Sequence, residues 1–412
     1  MDDALEPLVE RHPPLRRHLR IAVVTETYPP EVNGVATTVA RFVDGLCARQ
    51  HAVQLVRPRQ GASDRADVRG GFHEILRRGV AIPKYPDLKL GLPARRALQR
   101  LWRTQRPDLV HIVTEGPLGW SALQAALKLR LPVTSDFRTN FHAYSRHYGA
   151  GWLTRPIAAY LRKFHNRALM TMVPTDALAR DLAARGYRNL RVVARGVDTR
   201  LFDPARRDAA LRRVWGAGPD TPVVIHVGRL APEKNLAALA AAFAAIRARA
   251  PAARLVVVGD GPAGADLRAQ CPDVHFAGQR TGEDLAAHYA SADAFLFPSL
   301  TETFGNVTLE AMASGLAVVA YDDAAAAQHI RHGENGLLAG FGDTDAFVRL
   351  SSALAGDLAR ARALGARARA TALTLDWAHV VGRFEALLLA AARADAAAPA
   401  GAPGPDRSPE AG

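Results

Sequence analysis

Short apolar runs alternate with amphipathic stretches along the chain, and this alternation occurs twice. Runs rich in Val and Ile, without alternating polar residues, indicate strands that are buried on both faces of a parallel sheet. The stretches between them, such as 236–250, have the apolar spacing of helices. The pattern therefore predicts two doubly wound α/β halves. The predicted strands are 21–26, 52–58, 108–114, 131–136, 169–174 and 190–195 in the front half, and 222–228, 253–260, 274–278, 293–299 and 316–322 in the back half.

Turn residues cluster at 194–208, after the sixth predicted strand, and indicate the domain boundary. We predict one Rossmann-like domain at 1–196 and a second at 197–376, with a ligand in the cleft at the carboxyl ends of the strands. The last predicted helix, 377–394, has no strand after it, and we expect it to return to the first domain. The Ala/Pro/Gly-rich tail, 395–412, is expected to be disordered.

Composition is that of a soluble globular protein, with 412 residues, 49% hydrophobic and 23% charged. Its two cysteines, Cys47 and Cys271, are too few for a disulfide framework or a four-cysteine metal site. No apolar run reaches the roughly 18 residues of a membrane helix, and the first twenty residues lack the apolar core of a signal peptide. These features favour a cytoplasmic protein.

Net charge is distributed unevenly: residues 1–200 carry +16 and residues 201–412 carry −3. This asymmetry suggests an anionic partner for the front half, although a general preference for arginine over lysine is an equal alternative. Segment 92–106 is basic and places Leu98 and Trp102 at helical spacing. It would lie on an anionic bilayer, or only cover the sheet as an ordinary helix. No basic segment with interleaved aromatic residues is present, so we expect no nucleic acid partner.

The stretch GRLAPEKN, Gly228 to Asn235, follows a predicted strand and precedes a helix. Gly228 allows a tight turn, and Arg229 and Lys234 would converge on one anion together with the helix N-terminus. Two fixed cations beside a helix end suit a diphosphate leaving group. The alternative is a surface loop with two ordinary cations.

Two glycine-rich turns are further candidates for ligand contact. VVGDGPAG, with Gly259, Gly261 and Gly264, formally matches the dinucleotide fingerprint. It follows the second strand of its half rather than the first, so we favour a turn that lines a nucleotide pocket over a nicotinamide or flavin site. Gly34, in an Asn-Gly turn after the first strand, would let backbone N–H groups approach a phosphate or sugar. A plain strand-to-helix loop is the alternative there.

Glu302 and Glu310 frame the stretch TETFGNVTLE. A continuous helix would separate them by about 12 Å, whereas a glycosidase acid/base pair needs about 5–9.5 Å. We therefore predict that Glu302 lies in a loop, that a helix begins near Gly305, and that Glu310 lies one turn inside it. Both carboxylates would accept hydrogen bonds from ligand hydroxyls. The backbone N–H groups of Phe304, Gly305 and Asn306 would bind a phosphate.

The motifs GR-x4-K, VVGDGP and PS-x-TETFGNVTLEAMASGLAVVA together resemble the retaining glycosyltransferases of family four, which have the two-domain GT-B fold. The resemblance extends over roughly residues 20–390. HIVTEGPLGWSAL (111–123) and TNFHAYSRHYG (139–149) are similar to bacterial lipid mannosyltransferases and sulfolipid synthases. The resemblance implies an acceptor-side first domain and a second domain that binds the donor nucleotide.

The resemblance also implies roles for individual residues. Arg229 and Lys234 would clamp the donor diphosphate, Glu302 would contact the transferred hexose, and Glu310 would contact the ribose. Gly34 would lie in the glycine loop of the front domain. The remaining expected donor contacts are Gly228, Gly261, Phe304, Gly305, Asn306 and Val307.

One position departs from the family pattern. Relatives often have a histidine in the stretch that here reads SDFRTNFHAY, and Arg138 occupies its place. His142 and His147 lie nearby but do not match by position. Arg138 would add positive charge near the leaving phosphate, or serve structure alone.

The resemblance implies transfer of a hexose, with retention of configuration, from a nucleoside-diphosphate sugar to a lipid or glycan. Similarity to the mannosyltransferases favours GDP-mannose as donor. A UDP-sugar-dependent transferase that adds glucose or sulfoquinovose to diacylglycerol, a sugar-nucleotide epimerase or phosphorylase, and a non-catalytic binding protein are the alternatives. We expect no cofactor and no metal, because fixed cations would serve the leaving group, and a location in the cytoplasm at the inner face of the plasma membrane.

Overall fold

The computed structural model describes residues 18–31, 34–61, 63–82, 85–138, 154–302 and 304–397. The expected disordered tail from residue 398, the motif at 139–149 and its two histidines lie outside the described residues.

The first half contains strands and helices in alternation, with a run of short strands after β2. Its elements are β1 (Arg20–Val24), α1 (Gly34–Ala48), β2 (Ala52–Pro58), β3 (Val68–Arg69), β4 (Phe72–Arg77), β5 (Gly79–Ile82), β6 (Tyr85–Gly91), α2 (Arg95–Thr104), β7 (Leu109–Ile112), α3 (Pro117–Lys128), β8 (Val133–Asp136), α4 (Thr154–His165), β9 (Met170–Val173), α5 (Asp176–Ala184) and β10 (Leu190–Val192).

The second half alternates more regularly. Its elements are α6 (Ala209–Val214), β11 (Val223–Val227), α7 (Leu236–Arg249), β12 (Arg254–Val258), α8 (Gly264–Gln270), β13 (His275–Gly278), α9 (Gly282–Ser291), β14 (Ala294–Phe297), α10 (Asn306–Ala313), β15 (Ala317–Tyr321), α11 (Ala324–His329), β16 (Leu337–Ala339), α12 (Thr344–Ala355), α13 (Leu358–Leu373) and α14 (Trp377–Ala397).

Two separate sheets confirm the prediction of paired α/β halves. The first has the order β10-β9-β8-β7-β1-β2-β4-β3, and it is parallel except for the short β3. The second is parallel throughout, with the order β13-β12-β11-β14-β15-β16. The central strands β1 and β11 are mainly apolar and, apart from the exposed Arg20 at the start of β1, buried, because helices cover each side of the sheet. Each sheet reverses its strand order once, next to its first strand, and this reversal opens a crevice at the carboxyl ends.

Every strand predicted from the apolar runs is present, but some strands carry no such run. β4 mixes apolar with charged residues, and β6, with the sequence YPDLKLG, pairs only with β5 in a separate antiparallel hairpin. β16 is three residues long. Neither β4 nor β6 has the continuous apolar run of a strand that is buried on both faces, and β16 is too short to show one.

The chain passes between the two halves twice, along neighbouring paths. The Val197 N–H donates to the carbonyl of Leu375 at 3.0 Å, just before α14 begins. α14 then packs on α1 of the first half, where the rings of Phe384 and Phe42 stack with centroids 4.1 Å apart. The exact domain limits stay predictions. Within the described residues, no helix is long and apolar enough to cross a membrane.

Candidate active site

The two motifs that carry the candidate chemistry meet where the second sheet reverses its strand order. Loop 228–235 follows β11, and loop 298–305 follows β14, its neighbour in the sheet. The Leu300 N–H donates to the carbonyl of Glu233 at 2.9 Å and holds the two loops together. An open cavity of about 300 Å³ lies between them; among the predicted site residues it is lined by Gly228, Arg229, Lys234, Glu302, Gly305, Asn306 and Val307.

Lys234 lies at the centre of this cavity wall. A 3-10 turn, Pro232–Lys234, ends in the left-handed residue Asn235 and directs the lysine across to the β14 loop. Its Nζ forms an ion pair with Glu302 Oε1 and lies 5.4 Å from the centre of the Phe297 ring. Ser299 Oγ donates to the same Glu302 oxygen at 2.8 Å. Lysine and glutamate are thus fixed as a partly buried pair, rather than two free surface charges.

Arg229 is placed differently from Lys234. Its guanidinium is exposed and forms an ion pair with Glu233, four residues further along the chain. An exposed pair of this kind contributes little to stability, so it can rearrange when a stronger anion is present. Arg229 therefore supplies a cation at the rim of the cavity, and Lys234 supplies one in its wall.

The N-terminus of α10 forms the opposite wall. Gly305 precedes the helix with φ 88°, in the left-handed region, and provides no side-chain cap. The first N–H groups of a helix have no partner within it, and together with the helix dipole they favour an anion. Glu302 lies in the loop before this helix and Glu310 lies within it, as predicted, and the expected ligand contacts of their carboxylates stay predictions.

Glu310 is not among the residues that line this cavity. Its Oε2 accepts a hydrogen bond from the Tyr289 hydroxyl at 3.0 Å. Burial raises the pKa of Glu310 to about 7, although the Tyr289 hydrogen bond works in the opposite direction. The side chain is therefore close to half-protonated near neutral pH in the ligand-free protein.

Gly261 supports the site without lining this cavity. Its φ is 158°, and an added Cβ would lie 2.3 Å from the backbone oxygen of Leu230, inside the cation-bearing loop. Gly259 contacts the Gly228 backbone in the same way, with a Cβ distance of 2.0 Å. A side chain at either position would push the loop away. Close packing against the backbone of loop 228–235 therefore explains why the turn after β12 has glycine at these two positions.

The first half reaches the site through Gly34 and Arg195. Arg195, which follows β10, donates from Nη1 to Asn306 Oδ1 at 3.4 Å, and its guanidinium lies 5.7 Å from the centre of the buried Phe304 ring. An added Cβ at Gly34 would lie 2.7 Å from the same Nη1. The start of α1 and the start of α10 therefore face each other across one guanidinium.

Arg138 is buried in the first half, two residues after the end of β8. Its Nε donates to Asp136 Oδ2 at 2.6 Å, and the guanidinium lies 5.1 Å from the centre of the Phe42 ring. Burial works to raise the pKa of Asp136, but its interactions with Arg138 and His111 together outweigh burial and lower that pKa to about 2.

Sequence reasoning missed three contributors: Ser299, Tyr289 and Arg195. Ser299 stands three residues before Glu302, inside a motif that was recognised. Tyr289 carries no local signal, because it lies on α9, 21 residues before its partner Glu310. Arg195 stands in the stretch predicted to join the two halves, and an arginine at a predicted hinge is the signal that would have drawn attention to it. Within the described residues, no cluster of His, Cys, Asp or Glu is arranged to hold a metal ion.

Comparison with known proteins decides the family. Residues 32–201 match the family described as Glycosyltransferase Family 4, and residues 221–357 match the family described as Glycosyl transferases group 1. A GDP-mannose-dependent alpha-mannosyltransferase of Mycolicibacterium smegmatis is 36% identical over 380 residues, which is 90% of this chain and 98% of that protein. The chain belongs to glycosyltransferase family 4. The resemblance seen in the motifs is confirmed, and so is the prediction of an enzyme that transfers hexoses.

Other relatives of this glycosyltransferase agree with that assignment. The sulfoquinovosyl transferase SQD2 of Arabidopsis thaliana is 32% identical and covers 88% of this chain and 72% of its own. Sucrose-phosphate synthase from Thermosynechococcus elongatus has the same fold, with a TM-score of 0.70 and 22% identity over 91% of this chain and all of that one. This glycosyltransferase therefore has the predicted GT-B architecture.

Proposed function

We propose that this glycosyltransferase moves mannose from GDP-mannose to a lipid or glycan acceptor with retention of configuration. The observation that carries the proposal is the cavity in which Lys234, held by Glu302, faces the N-terminus of α10. A fixed cation opposite unpaired N–H groups suits the outer phosphate of a nucleotide sugar. The choice of mannose is supported by a relative that is named for GDP-mannose and is 36% identical over almost its entire length.

In the proposed reaction, the bond between C1 of the hexose and the phosphate oxygen breaks, and the diphosphate leaves with the electron pair. The acceptor oxygen forms the new bond on the same face of the sugar, and its proton passes to the departing phosphate. Negative charge thus develops on the diphosphate. Lys234, Arg229 and the start of α10 would stabilise it, and one preorganised contact of this kind is typically worth about 3–4 kcal/mol.

We further propose that transfer needs no metal or other cofactor. The supporting feature is the cation set supplied by the chain: Lys234 in the cavity wall and Arg229 at the rim. These charges would fulfil the electrostatic role that a divalent ion fulfils at other phosphoryl leaving groups. Full turnover in the presence of a strong chelator is the expected result, and loss of turnover that Mg²⁺ or Mn²⁺ restores would contradict it.

A donor screen tests the proposed substrate. A ligand that binds only the folded state at 100 times its Kd stabilises the fold by about 2.7 kcal/mol. GDP-mannose and GDP should therefore raise the melting temperature, while mannose alone and GMP should raise it less. Stabilisation by UDP-sugars and not by GDP-mannose would favour the alternative represented by the sulfoquinovosyl transferase relative, which is 32% identical. Product that forms only when an acceptor is added would separate transfer from epimerisation.

We also propose contact with an anionic membrane through the exposed side of α2. The predicted apolar face of this helix is not available for a bilayer, because Leu98 and Trp102 are fully buried in the core beside α3. The exposed side carries arginines and would act by charge alone, and each basic residue near an anionic surface contributes about 1 kcal/mol. The exposed arginines of α2 are Arg95, Arg96, Arg100 and Arg103.

Liposome co-sedimentation tests this contact. Replacing the four α2 arginines with glutamine should reduce binding to vesicles that contain an anionic lipid by at least 10-fold at low salt, and have no effect on neutral vesicles. The matched control replaces four exposed arginines of the second half and changes the net charge equally. Equal losses in both variants, or binding that ignores lipid charge, would contradict the proposal. The control positions are Arg213, Arg349, Arg360 and Arg362.

A further inference from the structure

Two buried arginines of the first half lie near one carboxylate, that of Asp136, and only one of them binds it. Arg138 and Arg195 are 2% and 6% exposed. Asp136 accepts a hydrogen bond from Arg138 Nε at 2.6 Å, so its charge is already engaged. Within the part of the chain that the structure describes, Arg195 has no carboxylate partner, and its hydrogen bond goes to the neutral amide oxygen of Asn306 at 3.4 Å.

Donor groups of these arginines also lack hydrogen-bond partners. Among the described residues, Arg138 Nη1, Arg138 Nη2 and Arg195 Nε are buried without one. Because Arg195 has only a neutral hydrogen-bond partner among the described residues, a bound anion would stabilise its buried guanidinium.

The position of Arg195 indicates where such an anion would bind. Its Nη1 contacts Asn306, the first residue of α10, and lies 2.7 Å from a Cβ built on Gly34, the first residue of α1. It therefore lies between the starts of two helices, of which the start of α10 is a favourable place for an anion. A phosphate at the start of α10 would meet Arg195 from the first half and Lys234 from the second.

The electrostatics of Arg195 indicate a charge that is only partly compensated. Burial and the positive charge of Arg138 lower the pKa of Arg195 to about 10, although the carboxylates of Asp136 and Glu302 act in the opposite direction. Phe304 offers only the face of its ring, which is a weak substitute for a carboxylate.

We propose that Arg195 is a third cationic contact for the outer phosphate of the donor, supplied by the first half of the chain. Arg138 holds Asp136 by a direct hydrogen bond, so that this carboxylate acts on Arg195 only through space. The inference rests on the proposed function, in which a nucleoside diphosphate occupies the start of α10. It gives the first half a direct part in holding the leaving group, rather than only in binding the acceptor.

Calorimetric titration of the full chain with GDP and GMP tests the proposal. Arg195→Gln should weaken GDP binding by about 10- to 100-fold, the loss expected for one charge-assisted hydrogen bond. GMP lacks the outer phosphate, and its affinity should change less than about 3-fold. The control is Arg41→Gln, which removes an exposed ion pair to Asp198 in the same region and should leave both affinities unchanged.

A second measurement separates binding from structure. Removing a buried cation that has no hydrogen-bonded carboxylate should leave the melting temperature of ligand-free Arg195→Gln unchanged or raise it. If Arg195 only joins the two halves through Asn306, the melting temperature should fall and both nucleotides should lose affinity alike. That outcome, or unchanged GDP affinity, would overturn the inference while the proposed function stands. A wild-type protein that binds neither GDP nor UDP would overturn the proposed function itself.

Discussion

Turnover of a Lys234→Ala variant should fall by about 10²- to 10³-fold, the usual loss when one preorganised contact to the developing charge is removed. Lys234 is the cation whose place is fixed on several sides, by its ion pair with Glu302 and by the Phe297 ring. Because the charge on the leaving diphosphate is largest in the transition state, kcat and kcat/KM should fall together. Steady-state kinetics with saturating acceptor measure both constants.

Two further variants show which property of Lys234 is responsible. Lys234→Met keeps the aliphatic stem against Phe297 and removes only the charge, so it should be as inactive as the alanine variant. Lys128→Ala, at an exposed position at the end of α3, should be fully active. Unchanged turnover in a folded Lys234→Met protein would contradict the assignment of the leaving-group site.

Glu310→Gln should lower turnover and raise stability at the same time. If the carboxylate binds the ribose hydroxyls of the donor, its loss removes charge-assisted hydrogen bonds, and kcat/KM should fall by about 10- to 100-fold. The same carboxylate is costly in the folded ligand-free protein, because burial raises its pKa to about 7 from its ordinary value of 4.5. Glutamine can still accept the Tyr289 hydrogen bond without that cost.

The sign of the pH effect follows from the raised pKa. Below about pH 4.5 the Glu310 carboxyl group is protonated in both the folded and the unfolded protein, so its burial carries no cost of ionisation. As pH rises from there through 7, the group ionises more readily in the unfolded chain than in the folded protein, and the free energy of unfolding falls. The side chain is only partly buried, so we expect Glu310→Gln to be more stable than wild type by about 1–2 kcal/mol at pH 8, and to match it near pH 5.

Urea unfolding at pH 5 and pH 8 measures this difference. Glu26 also has a pKa raised to about 7 by burial, so the wild type alone would not isolate one group. The difference between wild type and Glu310→Gln does isolate it. Glu283→Gln, at an exposed position of α9, should show no pH-dependent gain. A Glu310→Gln protein that gains nothing between the two pH values would contradict the assigned burial cost.

The accuracy of the sequence predictions varied with the kind of feature. Central strands such as β1 and β11 were predicted because burial on both faces demands a continuous apolar run. The start of α10 was predicted because the Phe-Gly-Asn break allows a left-handed residue at Gly305. β4, which lies between β2 and β3, and the edge strand β16 were missed, because β4 mixes charged with apolar residues and β16 has only three residues. The membrane hypothesis for α2 needed revision, because its apolar residues Leu98 and Trp102 are buried in the core.

The amino-acid order by itself determined the local chemistry: a cation-bearing loop after one strand, two glutamates around a helix start, and the motifs that indicate the family. These are properties of neighbouring residues, and short-range sterics and periodicity decide them. Tertiary structure alone decided which charges meet. Lys234 pairs with Glu302 because β11 and β14 are adjacent in the sheet. Arg195 contacts Asn306 because the first half packs against the start of α10 in the second. Strand order and packing between distant segments set those distances, and no local pattern records them.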